Sequence, residues 1–106
     1  MKKASWTIVA AALTAALAAA VPAHADEALA TAKNCMSCHK VDKKLVGPSY
    51  KEVAAKYAGQ AGAVDKLAAK IMKGGSGVFG AIPMPANTQV NDAEAKKLAA
   101  WVLSLK

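Results

Sequence analysis

Cys35-Met36-Ser37-Cys38-His39 places two thiols and an imidazole within five consecutive residues. Cysteines separated by two residues can act as metal thiolates, as a redox dithiol, as a local disulfide or as points of covalent haem attachment. Much further along, Met84 stands between Pro83 and Pro85, a thioether on a backbone that both prolines stiffen. These four side chains are the candidates for chemistry, and the rest of the chain has to decide among the possibilities.

The first 25 residues read as a secretory leader. Lys2 and Lys3 precede an apolar, alanine-rich run from Thr7 to Val21, and Ala23-His24-Ala25 ends on the small-x-small pattern of a cleavage site. The run is shorter than the roughly 20 apolar residues of a spanning helix, and Pro22 follows it, so cleavage after Ala25 is expected rather than membrane anchoring. Residues 26–106 then form one domain of 81 residues. Trp6 and His24 leave with the leader, and His39 becomes the sole histidine.

That inventory narrows the chemistry. A structural zinc site takes four Cys or His ligands and a catalytic one three plus water, whereas Cys35, Cys38 and His39 stand alone within one turn of chain. A thioredoxin-like dithiol needs a strand entering a helix, and runs rich in β-branched residues are missing. A disulfide across two intervening residues would constrain the unfolded chain little and leaves His39 without a role. Haem attachment uses all three residues: each thiol adds across one vinyl group, and the imidazole becomes an axial ligand of the iron. Of the methionines in 26–106, Met36 is tethered inside the motif and Met72 lies near a helix end between lysines. Met84, on a rigid apolar loop, is the expected opposite ligand.

Positioning these residues falls to helices. Alanines and Leu29 at helical spacing predict a first helix over Glu27–Cys35, running into the motif. Gly47 and Pro48 mark an irregular loop, Tyr50–Tyr57 a short helix, and Ala63–Lys73 a third, with Val64, Leu67, Ala68 and Ile71 on one face. Asn91 and Glu94 form a capping-box pattern ahead of a last helix whose stripe is Leu98, Val102 and Leu105, flanked by Ala95 and Trp101. Between these helices Gly74 to Val90 is rich in breakers yet apolar inside, so it should pack against something. Much of the apolar content is alanine, which buries little surface, and a large apolar cofactor would fill the deficit in so small a domain.

Residues 26–106 carry twelve lysines, no arginine and seven carboxylates, a net charge of about +5. Lys33, Lys40, Lys43, Lys44 and Lys51 crowd the attachment motif, a pattern that steers acidic partners. Export makes nucleic acid an unsuitable partner.

The segments CMSCHK, LVGPSYKEVAAKYAGQ, KIMKGGSGVFGAIPMPAN and NDAEAKKLAAWVLSLK, in this order, resemble the small bacterial class I cytochromes c of the c551/c552 (c8) group. The resemblance implies an all-α fold of about four short helices around one covalent haem c, with His39 proximal and Met84 distal. It also implies that the Pro48 carbonyl accepts a hydrogen bond from His39 and that the Asn87 side chain approaches the methionine sulfur. Phe79 and Lys70 stand where relatives often have Trp and Arg near a haem propionate; Phe79 has no indole N–H, and Lys70 has no planar fork. The implied role is a soluble, monomeric periplasmic one-electron carrier and not an enzyme, with no stable membrane insertion after leader removal. Its partners would be acidic redox proteins: a bc1-type complex as donor, a nitrite reductase or terminal oxidase as acceptor. The competing reading is a small haem peroxidase or gas-binding haem protein with a displaceable Met84.

Overall fold

The longest helix starts where the capping pattern predicts. Asn91 Oδ1 accepts from the Glu94 N–H at 2.8 Å, and the Glu94 carboxylate accepts from the Asn91 N–H at 3.2 Å. The same reciprocal arrangement occurs at Ser49 and Glu52, both bonds 3.1 Å, and opens the helix that begins at Tyr50. Each box satisfies backbone donors that a helix N-terminus would otherwise leave orphaned.

The computed structural model describes residues 23–106, and the expected leader up to residue 22 lies outside them. In order, the chain forms α1 (Ala23–Ala32), a 3-10 turn (Cys35–Ser37), α2 (Tyr50–Tyr57), α3 (Ala63–Lys73) and α4 (Asp92–Ser104). Among the described residues there is no strand, and a single antiparallel bridge joins Gly75 to Met84. No described helix is long and apolar enough to cross a membrane.

Two of the expected helices, α2 and α3, have the expected bounds. The first differs. It begins at Ala23, so the expected leader junction falls within its first turn, and it stops at Ala32 rather than running to Cys35. Asn34 adopts a left-handed conformation at φ 65°, which asparagine tolerates better than most residues, and this turns the chain out of the helix. The cysteines consequently sit on a new, tighter turn in which Cys35 O accepts from both Cys38 N (3.2 Å) and His39 N (3.1 Å).

Helix α4 contacts α1, α2 and α3 and organises the core. Leu98, Trp101 and Val102 of α4 cluster with Leu67, Ala68 and Ile71 of α3, Tyr50 and Val53 of α2, and Val90. Val64, expected on the apolar face of α3, is 37% exposed, because it lies in the helix's first turn beyond the reach of that cluster. Alanine has a packing role that composition alone undervalues: Ala30 on α1 and Ala95 and Ala99 on α4 are all completely buried. A side chain of a single methyl group lets helices approach closely, so enlarging one of these positions forces them apart. Ala99→Leu is expected to lower stability by about 1–3 kcal/mol in urea unfolding, the usual cost of overpacking; an unchanged midpoint would show that the site has spare room.

Candidate functional site

Between the helices and the Gly74 to Val90 segment lies a cavity of about 610 Å³. Cys35, Cys38, His39, Pro48, Lys70, Phe79, Met84 and Asn87 all line it, so every candidate from the sequence converges on one space. Leu67, Ile71, Leu98, Trp101 and Val102 form apolar wall, which means that the core residues of the helices also face the cavity.

One arm of the cavity is the attachment turn and the loop after it. His39 Nδ1 lies 2.8 Å from the Pro48 carbonyl oxygen, which can only accept. Nδ1 is therefore the donor in this bond, which leaves Nε2 as the ring nitrogen available to a metal. Gly47 donates to Cys38 O at 2.8 Å and runs directly against the imidazole: a Cβ there would stand 2.5 Å from His39 Cε1. Tyr50 stacks on the imidazole, its ring centroid 5.0 Å from that of His39 and tilted by 18°, and Trp101 meets Tyr50 edge-on at 5.3 Å. A carbonyl, a glycine backbone and a phenol ring thus fix the plane of one imidazole. Burial pushes the Cys35 thiol up, with opposing contributions from hydrogen bonds to its own backbone and to Tyr50. Burial, reinforced by Cys35 and Cys38, likewise holds the Tyr50 hydroxyl protonated far above neutral pH. Such surroundings favour an uncharged sulfur, as in a thioether, over a thiolate.

The other arm is the Met84 loop. Neither flanking proline has an N–H to give, but Met84 itself donates to Gly75 O at 2.8 Å, and Met84 O accepts from Gly75 N at 3.0 Å. Gly74, at φ 71°, lies so close beneath this bridge that a Cβ would collide with the Met84 carbonyl and crowd Ala86 N and Pro85 C at 2.8 Å each. The glycine cluster that reads as a helix breaker is also the docking surface of the methionine. That second role is invisible in the sequence, since the bridge joins residues nine apart across a turn without strand patterning.

Asn87, expected near the methionine sulfur, spends its hydrogen bonds elsewhere in part: Nδ2 donates to Ile71 O at 2.8 Å, and Oδ1 accepts from Gln89 at 3.1 Å. The Lys70 amine lies against Gly75, 2.8 Å from where a Cβ would be. Phe79 is 39% exposed, with the Lys56 ammonium 5.9 Å from its ring centroid. Such a contact holds the loop tip to α2 weakly. Sequence reasoning missed Gly47, Tyr50, Gly74, Gly75 and Trp101 as site-builders; the proximity of Gly47 to Pro48 and of Tyr50 to the capping Ser49 was the available signal for two of them.

Helices arranged about an apolar cavity, with CxxCH on one arm and a constrained methionine on another, define a haem protein of the c type. The cytochrome c family model matches residues 26–106, and the chain belongs to that family. Over 80 residues it is 64% identical to cytochrome c-551 of Azotobacter vinelandii, covering 76% of this chain and 96% of that protein. It is 60% identical over 82 residues to cytochrome c-552 of Hydrogenobacter thermophilus, covering 77% and 83%. The crystal structure of wild-type Nitrosomonas europaea cytochrome c552 superimposes with a TM-score of 0.74 at 54% identity, over 76% of this chain and 99% of that one. The chain is a class I cytochrome of the c551/c552 group, an electron carrier whose cofactor is one covalently attached haem c. The cavity fits that group: its volume lies within the range of about 300–1,000 Å³ typical of cofactor sites, its wall is largely apolar, and both cysteines line it.

Gly59 and Gly74 have nearly the same positive φ, 74° and 71°, but a Cβ on Gly59 meets nothing within 4 Å. Gly59→Ala is therefore expected to cost about 1–2 kcal/mol, the penalty of the left-handed region alone. Gly74 also has ψ −165°, a region essentially confined to glycine, and its Cβ would strike backbone, so Gly74→Ala should cost at least twice as much by urea unfolding. Equal losses would show that the close approach under Met84 contributes nothing.

Proposed function

We propose that the protein is a periplasmic one-electron carrier in which thioether bonds from Cys35 and Cys38 hold the haem and His39 and Met84 are the axial ligands. The observation that carries this reading is the convergence of His39 and Met84 on one cavity, each immobilised by its own backbone contacts. When bound, the haem supplies an iron that cycles between ferric and ferrous states. The residues do the rest. The Pro48 carbonyl holds the His39 proton on Nδ1, so Nε2 stays a donor of electrons; the Gly75 bridge holds Met84; Leu67, Ile71, Leu98 and Val102 exclude water. Groups held this firmly move little between oxidation states, which keeps electron transfer fast. With His39 and Met84 both bound to it, the metal would have no position left for a substrate, which favours a carrier over an enzyme.

Export through a leader cleaved after Ala25 accords with the thiol-rich motif and with the lysine-rich charge balance. Lys51 pairs with Asp42, and Lys33 with Glu94 at 3.2 Å. Lys40, Lys43 and Lys44 are exposed with no ion pair among the described residues, and Lys44 borders the cavity. They form the part of the cluster free to meet an acidic redox partner, with a bc1-type complex as donor and a nitrite reductase or terminal oxidase as acceptor. Association should accordingly weaken with salt.

The competing reading, a haem peroxidase or gas-binding protein, requires an open or easily opened sixth position. One pair of proteins separates the two. The ferric wild type should show the far-red sulfur-to-iron absorption band, and its reduced form should not take up carbon monoxide at neutral pH. Met84→Ala should lose the band, bind carbon monoxide and have a lower potential. A band that persists in the variant refutes Met84 as ligand, and ready uptake by the wild type refutes the closed carrier.

A further inference from the structure

Lys33 and Gln89 are 56 residues apart and bond to each other twice. The Gln89 side-chain amide donates to Lys33 O at 2.9 Å, while Lys33 Nζ donates to Gln89 O at 3.1 Å. The same Lys33 ammonium pairs with Glu94 on α4. Gln89 Nε2 also donates to Asn87 Oδ1 at 3.1 Å, and Asn87 Nδ2 donates to Ile71 O on α3 at 2.8 Å. Lys33 lies two residues before Cys35, and Asn87 lies three residues after Met84. A continuous run of hydrogen bonds therefore joins the arm that carries the attachment cysteines to the arm that carries the methionine, and ends on α3.

From this geometry we propose that Gln89 is a positioning residue that latches the Met84 loop to the attachment arm and sets how often the loop opens. The segment between Met84 and α4 has few other fastenings: the Asn87 bond to α3, the Val90 N–H to Asn87 O at 3.2 Å, and burial of the Val90 side chain. Both protons of the Gln89 amide are used, one on each arm's acceptor. Removing the amide leaves Lys33 O without that donor and Asn87 Oδ1 free to rotate, which in turn loosens Asn87 from Ile71. The Gly75–Met84 bridge is next in line, since the chain that follows it is then held to the attachment arm only by the Lys33 Nζ bond to Gln89 O. The latch itself is a statement about loop opening; its consequence for access to the iron rests on Met84 being the ligand.

Native-state amide exchange on the haem-loaded protein tests it through Met84 N–H and Gly75 N–H, the two donors of the bridge. In Gln89→Ala these two amides should exchange about tenfold faster, the effect of losing roughly one net hydrogen bond, while Trp101 and Val102 in α4 change by less than about threefold. Glu94→Ala, which removes the Lys33 ion pair and half of the α4 cap but spares the Gln89 amide, should instead shift the loop and α4 amides together. The proposal is overturned if Gln89→Ala leaves the Met84 and Gly75 amides unchanged or moves them by the same factor as Trp101 and Val102. Imidazole binding to the ferric form separates the two ideas: affinity that rises with the faster exchange supports the latch with Met84 as ligand. Faster exchange with unaltered imidazole affinity supports the latch and removes Met84 from the iron.

Discussion

A cavity of about 610 Å³ inside a chain of small residues is the constraint on which the other features depend. Leu67, Ile71, Leu98, Trp101 and Val102 belong at once to the hydrophobic core and to the wall of that cavity. Each therefore has protein on one side and the haem site on the other. Domains of this size bury too little surface to be secure alone. The fully buried alanines at Ala30, Ala95 and Ala99 bring helices close but add little apolar area. The covalent haem of the cytochrome c family, held in this cavity, would thus complete the core as well as serve as the redox group.

Both arms around the cavity are built by the same means, backbone held against backbone with a glycine where nothing larger fits. Gly47 passes under the His39 ring, and Gly74 passes under the Met84 carbonyl. The imidazole gains a carbonyl partner in Pro48, and the methionine gains two backbone hydrogen bonds to Gly75. Side-chain rotamers alone would leave a thioether on an exposed loop with considerable freedom; a paired backbone between two prolines removes most of it. Functional stiffness here comes from the arms, and the helices supply the frame to which they are tied. The hydrogen-bonded run through Lys33, Gln89 and Asn87 is the most exposed of those ties and the one that spans both arms.

Much of this was legible in the sequence because its determinants are local. Capping at Asn91 and Glu94, the Leu98 and Val102 part of the α4 stripe and the ends of α2 and α3 follow from spacing within one or two turns, whereas Leu105, expected in that stripe, caps the helix end and is only half-buried. The convergence of Cys35, Cys38, His39 and Met84 was legible for a chemical reason: few residues in 26–106 can bind iron or sulfur-add to a vinyl group. What escaped is long-range or conformational. The left-handed Asn34 that ends α1 early, the Gly75–Met84 bridge and the 56-residue link from Lys33 to Gln89 depend on how distant segments dock, which no periodicity records. Val64 shows the converse error, a residue on the right helical face but one turn too early to be covered.

If the haem is the centre of the core, folding and cofactor attachment are one event. Far-UV circular dichroism of the haem-free chain, followed through a thermal scan beside the haem-loaded protein, tests this most directly. A weak helical signal with no cooperative transition in the haem-free chain, against a strong signal and a sharp melt in the loaded protein, is the predicted result. A haem-free chain with native-like helicity and a cooperative melt would contradict it, because the helices would then have a sufficient core of their own.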